Sequence, residues 1–578
     1  MRNEQECLYP YTLLGIARLG LDGKRRGRRA SPGDRSDEQA IQENSVFNLV
    51  SVRDDPACVA SCEAILQWSL LSDINVEGPI SSFPSEVRAM QTVAQPTCQQ
   101  PKPSSNCILF LCRVFLGDIN SRNPVVDASQ LTQYAYEANE HGPGWDGPGC
   151  LVVSNARVAT RILMASNKIS TKLFACALAS SSCTCNSPTA RDFTEGYFVD
   201  ICGNVPLQMR REAEAENFYI EAQQRLESLP NSLVTIQCTY LAGLYEQYFM
   251  RPLDAWRRFL RACVSFQNLP HFGTSFQNDV NCGDQRDKSI RQCLYWSCIK
   301  AEFELRAELK IRSSDLLGLF KKFHPKLAST MAWMNNAVTP EFLNSFGSDQ
   351  NPSTRSYRNT DYYEDDLLLR GTMNHIINDV YGQDEITWIS ELPSLMKCAK
   401  YSEIVETWRE WPNPFLEFPH PLSKSSPAPE VADNAQSFLL QVNHLCIVEL
   451  LHRPFIYCVL ARGSCIELVD HPLLVPLAQQ YISISCALIK LVAGAYFRYE
   501  GTWTLVRRSF GCSLVLIAAV RYNYCHRDSS IDPLQVPEKW REIVEISIET
   551  IWKWERPGVE DLSWMRRIWE HMSEVIEK

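Results

Sequence analysis

The sequence predicts an all-α protein. Apolar residues recur at steps of three and four over much of the chain, the junctions between those stretches carry capping residues, and alternating strand patterns are nearly absent. With 578 residues, 45% hydrophobic and 21% charged, the chain can bury a large core and is too apolar to be wholly disordered. The same balance excludes collagen and coiled-coil rods.

The first stretch, residues 1–55, is polar and irregular. Its run Lys24-Arg25-Arg26-Gly27-Arg28-Arg29 concentrates five positive charges in six residues of a chain whose net charge is −10. General attraction to nucleic acid or to an anionic membrane is therefore not expected, and phosphate contact or nuclear import would have to come from this run. Residues 56–105 form a loose connector rich in Pro, Ser and Gln, with one short helix expected near Cys58 to Leu71 and separated from the body. The body is residues 106–578.

Three consecutive helices are marked by Ala215, Phe218, Ala222, Leu226 and Leu229, then Val234, Cys238, Leu241, Tyr245 and Tyr248, then Leu253, Trp256, Leu260 and Cys263. Pro230-Asn231-Ser232 stops the first and caps the second, and Pro252 suits a first helical turn. Further helices are expected over Lys288 to Leu309, Asp361 to Tyr381, Ser390 to Trp408, Ala432 to Ala461, Pro476 to Phe497, Trp503 to Tyr524, Pro537 to Trp554 and Val559 to Glu577. The run Cys107 to Leu116 has strand-like continuity, but one isolated strand builds no sheet. Loops are expected at Asn344 to Thr354, Pro412 to Pro421 and Ser423 to Pro429.

Chemistry-bearing patterns are few. Gly142-Pro143-Gly144-Trp145-Asp146-Gly147 matches the dinucleotide pattern, but a polar helix precedes it and prolines remove donors the pyrophosphate would need, so it is read as a tight loop with Trp145 packed inward. The ten histidines contain no i, i+4 pair, and His444 and His452 fit core or capping roles. Asp361, Glu364, Asp365 and Asp366 are read as a helix start favoured by the macrodipole. The 23 cysteines lie in apolar stretches and are expected as reduced, buried thiols, and the close pairs lack zinc-knuckle spacing. No apolar stretch is read as a membrane span: Cys512 to Val520 is short and Ile482 to Phe497 carries Lys490. A soluble intracellular protein without catalytic activity and without a membrane partner is expected.

Several ordered segments resemble fungal transcription factors that carry a six-cysteine binuclear zinc cluster followed by a large helical regulatory domain. The segments are Phe115 to Asn120, Asn123 to Asp127, Glu140 to Pro148, Glu214 to Leu229, Gln237 to Tyr248, Arg251 to Trp256, Arg291 to Cys298 with Glu302 to Leu309, His452 to Phe455 and Gly501 to Trp503. The resemblance implies an all-α regulatory body, nuclear localisation, and transcription machinery or co-regulators as partners, and it leaves room for a small-molecule effector and a homodimer. It also implies that Cys7 corresponds to the last cysteine of the zinc cluster and Lys24, Arg25, Arg26, Arg28 and Arg29 to the basic linker behind it. The other cysteines of the cluster have no counterpart here, so zinc and DNA readout are expected only in a form that carries them. Asp34 to Val52 shows no sustained heptads for a dimerising coiled coil. The competing reading is a helical protein-interaction scaffold that does not bind DNA.

Overall fold

The structure is a computed structural model that describes residues 60–74, 111–112, 115–142, 144–154, 219, 222–269, 285–309, 311, 313–316, 359–381, 388, 435–461, 474–495, 498–527, 533–555 and 560–577. These residues contain no strand, and the fold is all-α as the periodicity predicts. The helices are α1 (Cys62–Leu66), α2 (Ala128–His141), α3 (Leu233–Tyr248), α4 (Pro252–Gln267), α5 (Gln285–Arg306), α6 (Asn359–Val380), α7 (Ala435–Leu460), α8 (Leu474–Ala493), α9 (Thr502–Cys525), α10 (Trp540–Trp554) and α11 (Glu560–Glu577).

Local sequence sets the ends of these helices. Ser232 caps α3 by accepting from the Thr235 N–H at 3.3 Å, and Pro252 stands in the first turn of α4 as its missing N–H allows. Between them Met250 turns the chain with φ of 59°, and the Arg251 N–H reaches back to Glu246 O at 2.9 Å. Asp127 caps α2 through the Gln130 N–H at 2.7 Å.

Successive helices pack as neighbours from α3 to α6, then α6 on α7 and α7 on α8, while α8, α9 and α10 pack on one another and α11 closes against α10. The apolar core runs through all of them. Helix α7 continues through Pro454, whose ring leaves the carbonyl of Leu450 without its helical donor. The hydroxyl of Tyr381 donates to that oxygen at 2.6 Å, so the break is satisfied from the end of α6.

Several expectations are corrected. Residues 111–112 are helical and Phe115–Ile119 form one wide helical turn, so Cys107 to Leu116 contributes no strand among the described residues. The short helix expected near Cys58 to Leu71 is α1, but it is not separate from the body. Ile65, Leu71 and Ile74 are buried, α1 packs on α9, and Ile65 lies where a Cβ at Gly511 would come within 3.2 Å of it. Trp145 does not pack inward; it is 63% exposed, with the Arg225 guanidinium 4.8 Å over its ring. Its loop is tight nonetheless, since a Cβ on Gly149 would fall 2.2 Å from Gly144 O. Helices α8 and α9 are each long and apolar enough to cross a membrane, beyond what the sequence reading allowed, and both are packed within the helical body. The helix expected over Ser390 to Trp408 and the three long loops lie outside the described residues.

Candidate functional site

Charged side chains on apolar helices are costly to bury unless they are paired. Here they converge on one buried network at the centre of the body. Its first half begins at the turn after Phe115–Ile119. Arg122 donates to the Tyr248 hydroxyl at 2.9 Å and lies 3.6 Å from Glu500, and Asn123 donates to the other Glu500 oxygen at 2.9 Å. Tyr240 in turn donates to Asn123 Oδ1 at 3.0 Å. Lys300 of α5 donates to Arg122 O at 2.9 Å and pairs with Asp366 of α6 at 2.8 Å. Asp366 also accepts from Arg370 at 3.0 Å and from Asn443 of α7 at 2.9 Å, and Arg370 pairs with Glu304 at 2.8 Å.

The second half starts four residues after Glu304, at Glu308 just beyond the end of α5. This carboxylate faces both Arg507 and Arg508 of α9 at 3.4 Å. Arg507 also pairs with Glu63 of α1 and with Asp561 of α11, the latter at 2.9 Å, while Trp503 donates to Asp561 at 2.7 Å. Arg453 grips Glu449 with two hydrogen bonds at 2.8 and 3.0 Å and reaches the carbonyl of Ala60. Tyr481 of α8 donates to the same Glu449 at 2.8 Å.

Six cations, Arg122, Lys300, Arg370, Arg453, Arg507 and Arg508, thus face seven carboxylates, Glu63, Glu304, Glu308, Asp366, Glu449, Glu500 and Asp561. Burial pushes the carboxyls of Glu304, Glu308 and Asp561 up against the pull of the neighbouring arginines. For Asp366 burial also opposes the charge, but Arg370 and Lys300 outweigh it and hold the group below its ordinary value. Glu500 is held down in the same way by Arg122 and Lys300, and Glu63 by Arg507.

Where the halves meet, a cavity of about 20 Å3 opens between α5, α6, α7 and the start of α9. Glu304, Arg370, Asn443, Thr504 and Arg508 supply its polar wall.

The residues singled out from the sequence, Cys7, Lys24, Arg25, Arg26, Arg28 and Arg29, lie outside the described residues. His452 is a core residue as expected, with Nδ1 2.8 Å from Val448 O and Nε2 3.0 Å from Gln480 Oε1. The described cysteines are free thiols, all buried except Cys525. No cluster fit to hold a metal occurs among the described residues. Asp366 is corrected: it lies about two turns inside α6 as a fully buried anchor for Lys300 and Arg370, not at the helix start. The network itself went unnoticed in the sequence, although Arg507-Arg508 inside an apolar helix and Lys300, Glu304 and Glu308 at steps of four were its signal.

No family model, no curated protein and no solved structure matches this chain.

Proposed function

We propose that the chain is a transcription regulator of the fungal zinc cluster kind, with residues 106–578 as its helical regulatory body. In this reading Lys24, Arg25, Arg26, Arg28 and Arg29 contact DNA phosphates or direct nuclear import. Base readout belongs to a form that carries the zinc cluster, for which Cys7 is the last-cysteine remnant. The observation that carries the reading is a convergence. The resemblance rests on short segments far apart in sequence, and many of them supply the buried network: Asn123 from the second, Tyr240 and Tyr248 from the α3 segment, Glu304 of α5 and Glu308 just after it, Arg453 from α7, and Trp503 with the neighbouring Glu500 at the start of α9.

The test is to tether residues 106–578 to a foreign DNA-binding domain upstream of a reporter. A change in transcription of severalfold is expected, abolished when Arg507→Ala opens the network. An unchanged reporter from a folded fusion discards the reading. A companion fluorescent fusion of the whole chain is expected in the nucleus, and loss of Arg25, Arg26, Arg28 and Arg29 is expected to disperse it.

A further inference from the structure

Residues 60–74 are gripped from the body by three arginines. Arg453 of α7 reaches the Ala60 carbonyl, Arg507 of α9 pairs with Glu63, and Arg521 of α9 donates to the Leu70 carbonyl at 2.8 Å and to Asp73 at 2.7 Å. Between these points the segment lays an apolar face on the body. Gly511 leaves a notch for Ile65, whose Cδ1 lies where a Cβ on that glycine would come within 3.2 Å, and the Trp68 ring rests 5.1 Å from that of Tyr457 on α7. The grip is built to survive the departure of the segment. Arg453 keeps both hydrogen bonds to Glu449, Arg507 keeps Asp561 and Glu308, and Arg521 is partly exposed to water. Lifting residues 60–74 therefore strands neither buried guanidinium, and the cost that usually follows breaking a buried pair is avoided.

The segment brings little structure of its own. Helix α1 is five residues long and Ser69–Leu71 form a single tight turn, lengths with no stability as isolated helices, so the body supplies the order as it would for a bound peptide. We propose that the seam of α7 and α9 is a peptide-docking groove, held in cis by residues 60–74 as a releasable strap, and that it takes in trans an acidic amphipathic peptide of the same pattern. That pattern is a carboxylate for Arg507, an aliphatic side chain two residues later for the Gly511 notch, and an indole three residues further on against Tyr457. Charge fixes the choice of partner. A basic peptide would set like charges against Arg507 and Arg521, and a neutral one would leave both without the carboxylates they hold here. This site does not depend on the regulatory reading.

Two buried thiols report on release: Cys62 lies in the strap, and Cys512 lies in α9 next to the notch. The whole chain is alkylated with iodoacetamide in native buffer, and the rate at each cysteine is read by mass spectrometry relative to the rate in the urea-unfolded chain. Cys62 is expected to react about ten-fold faster than Cys512 or more, because the strap opens without global unfolding. A synthetic peptide of residues 60–74 carrying Cys62→Ser is expected to raise the Cys62 rate severalfold by occupying the vacated groove, and the same peptide with Glu63→Lys is not. The first peptide should also bind the Ile65→Ala chain, whose strap is loosened, about ten-fold tighter than the wild type or better. Equal protection of Cys62 and Cys512 means that the strap leaves only on global unfolding, and overturns the proposal. So does a Cys62 rate that the peptide leaves unmoved, an equal effect of the Glu63→Lys peptide, or equal affinity for the two chains. If Ile65→Ala does not fold, the alkylation rates of the wild type decide.

Discussion

Arg507 Nη1 lies 2.9 Å from Asp561 Oδ1, and Trp503, one turn before Arg507 on α9, donates to the second oxygen of the same carboxylate at 2.7 Å. This pairing ties α11 to α9, whose residues are mostly buried. Asp561→Ala would leave a buried guanidinium and an indole N–H short of an acceptor, an effect of about 3–5 kcal/mol. The exposed pair between Lys539 and Glu542 at 3.1 Å is worth less than about 1 kcal/mol by the same reasoning in water. Urea denaturation of Asp561→Ala and Glu542→Ala checks the contrast, and similar midpoints for the two would show that α11 is not held through Arg507.

The pH dependence has a definite sign. Burial pushes the His452 imidazole below its ordinary value of 6.5, so under that pH the unfolded chain binds protons the folded one does not. Its contribution to stability is present at neutral pH and is lost as pH falls from 6.5 through the depressed folded value. Glu63, Asp366 and Glu500, also held down, lose theirs in the same direction at lower pH, below the usual carboxylate range. Glu304, Glu308 and Asp561 are pushed up, so their sign is opposite: each destabilises as pH rises through its folded value. Because the signs oppose, the difference between two proteins is the readout: relative to His452→Gln, the wild type is expected to lose stability as pH falls below 6.5. Equal slopes in the two proteins would remove His452 from the account.

The helices were legible because their apolar faces recur at helical steps, and Ser232 and Pro252 mark boundaries that the structure reproduces. The all-α class follows from the same pattern. The network was not legible, because which charges pair depends on tertiary distance: Glu63 and Arg507 are separated by most of the chain, and so are Arg122 and Glu500. Trp145 failed for a related reason. An aromatic residue in a glycine loop carries no sign of which way it faces, and Arg225, which covers it, comes from a distant helical segment.

The α1 segment divides into strong and weak anchors. Ile65 is buried at 1% exposure beside Gly511, whereas Asp73 meets Arg521 at 2.7 Å from a half-exposed position. Ile65→Ala is expected to cost about 2–5 kcal/mol and Asp73→Ala less than about 1 kcal/mol. Hydrogen exchange across residues 60–74 reads the difference directly. The segment should lose protection in Ile65→Ala alone, and loss in Asp73→Ala to the same extent would make the ion pair the dominant anchor.

Gly243 sets helix propensity against packing. In the interior of α3, replacing glycine by alanine ordinarily stabilises a helix by about 1 kcal/mol, because the unfolded chain has less backbone freedom to lose. A Cβ at this position, however, would come 2.5 to 2.8 Å from three ring carbons of Phe259. That ring is itself fixed, 1% exposed and 5.2 Å from the Tyr240 ring. Tyr240 in turn is held by its bond to Asn123, so the ring cannot retreat without disturbing the network. Overpacking of this kind costs about 1–3 kcal/mol, which outweighs the propensity gain. Gly243→Ala is therefore expected to lower stability, and the double variant Gly243→Ala with Phe259→Leu to recover part of the loss. A more stable Gly243→Ala single variant would mean that α3 and α4 can separate slightly to admit the methyl group.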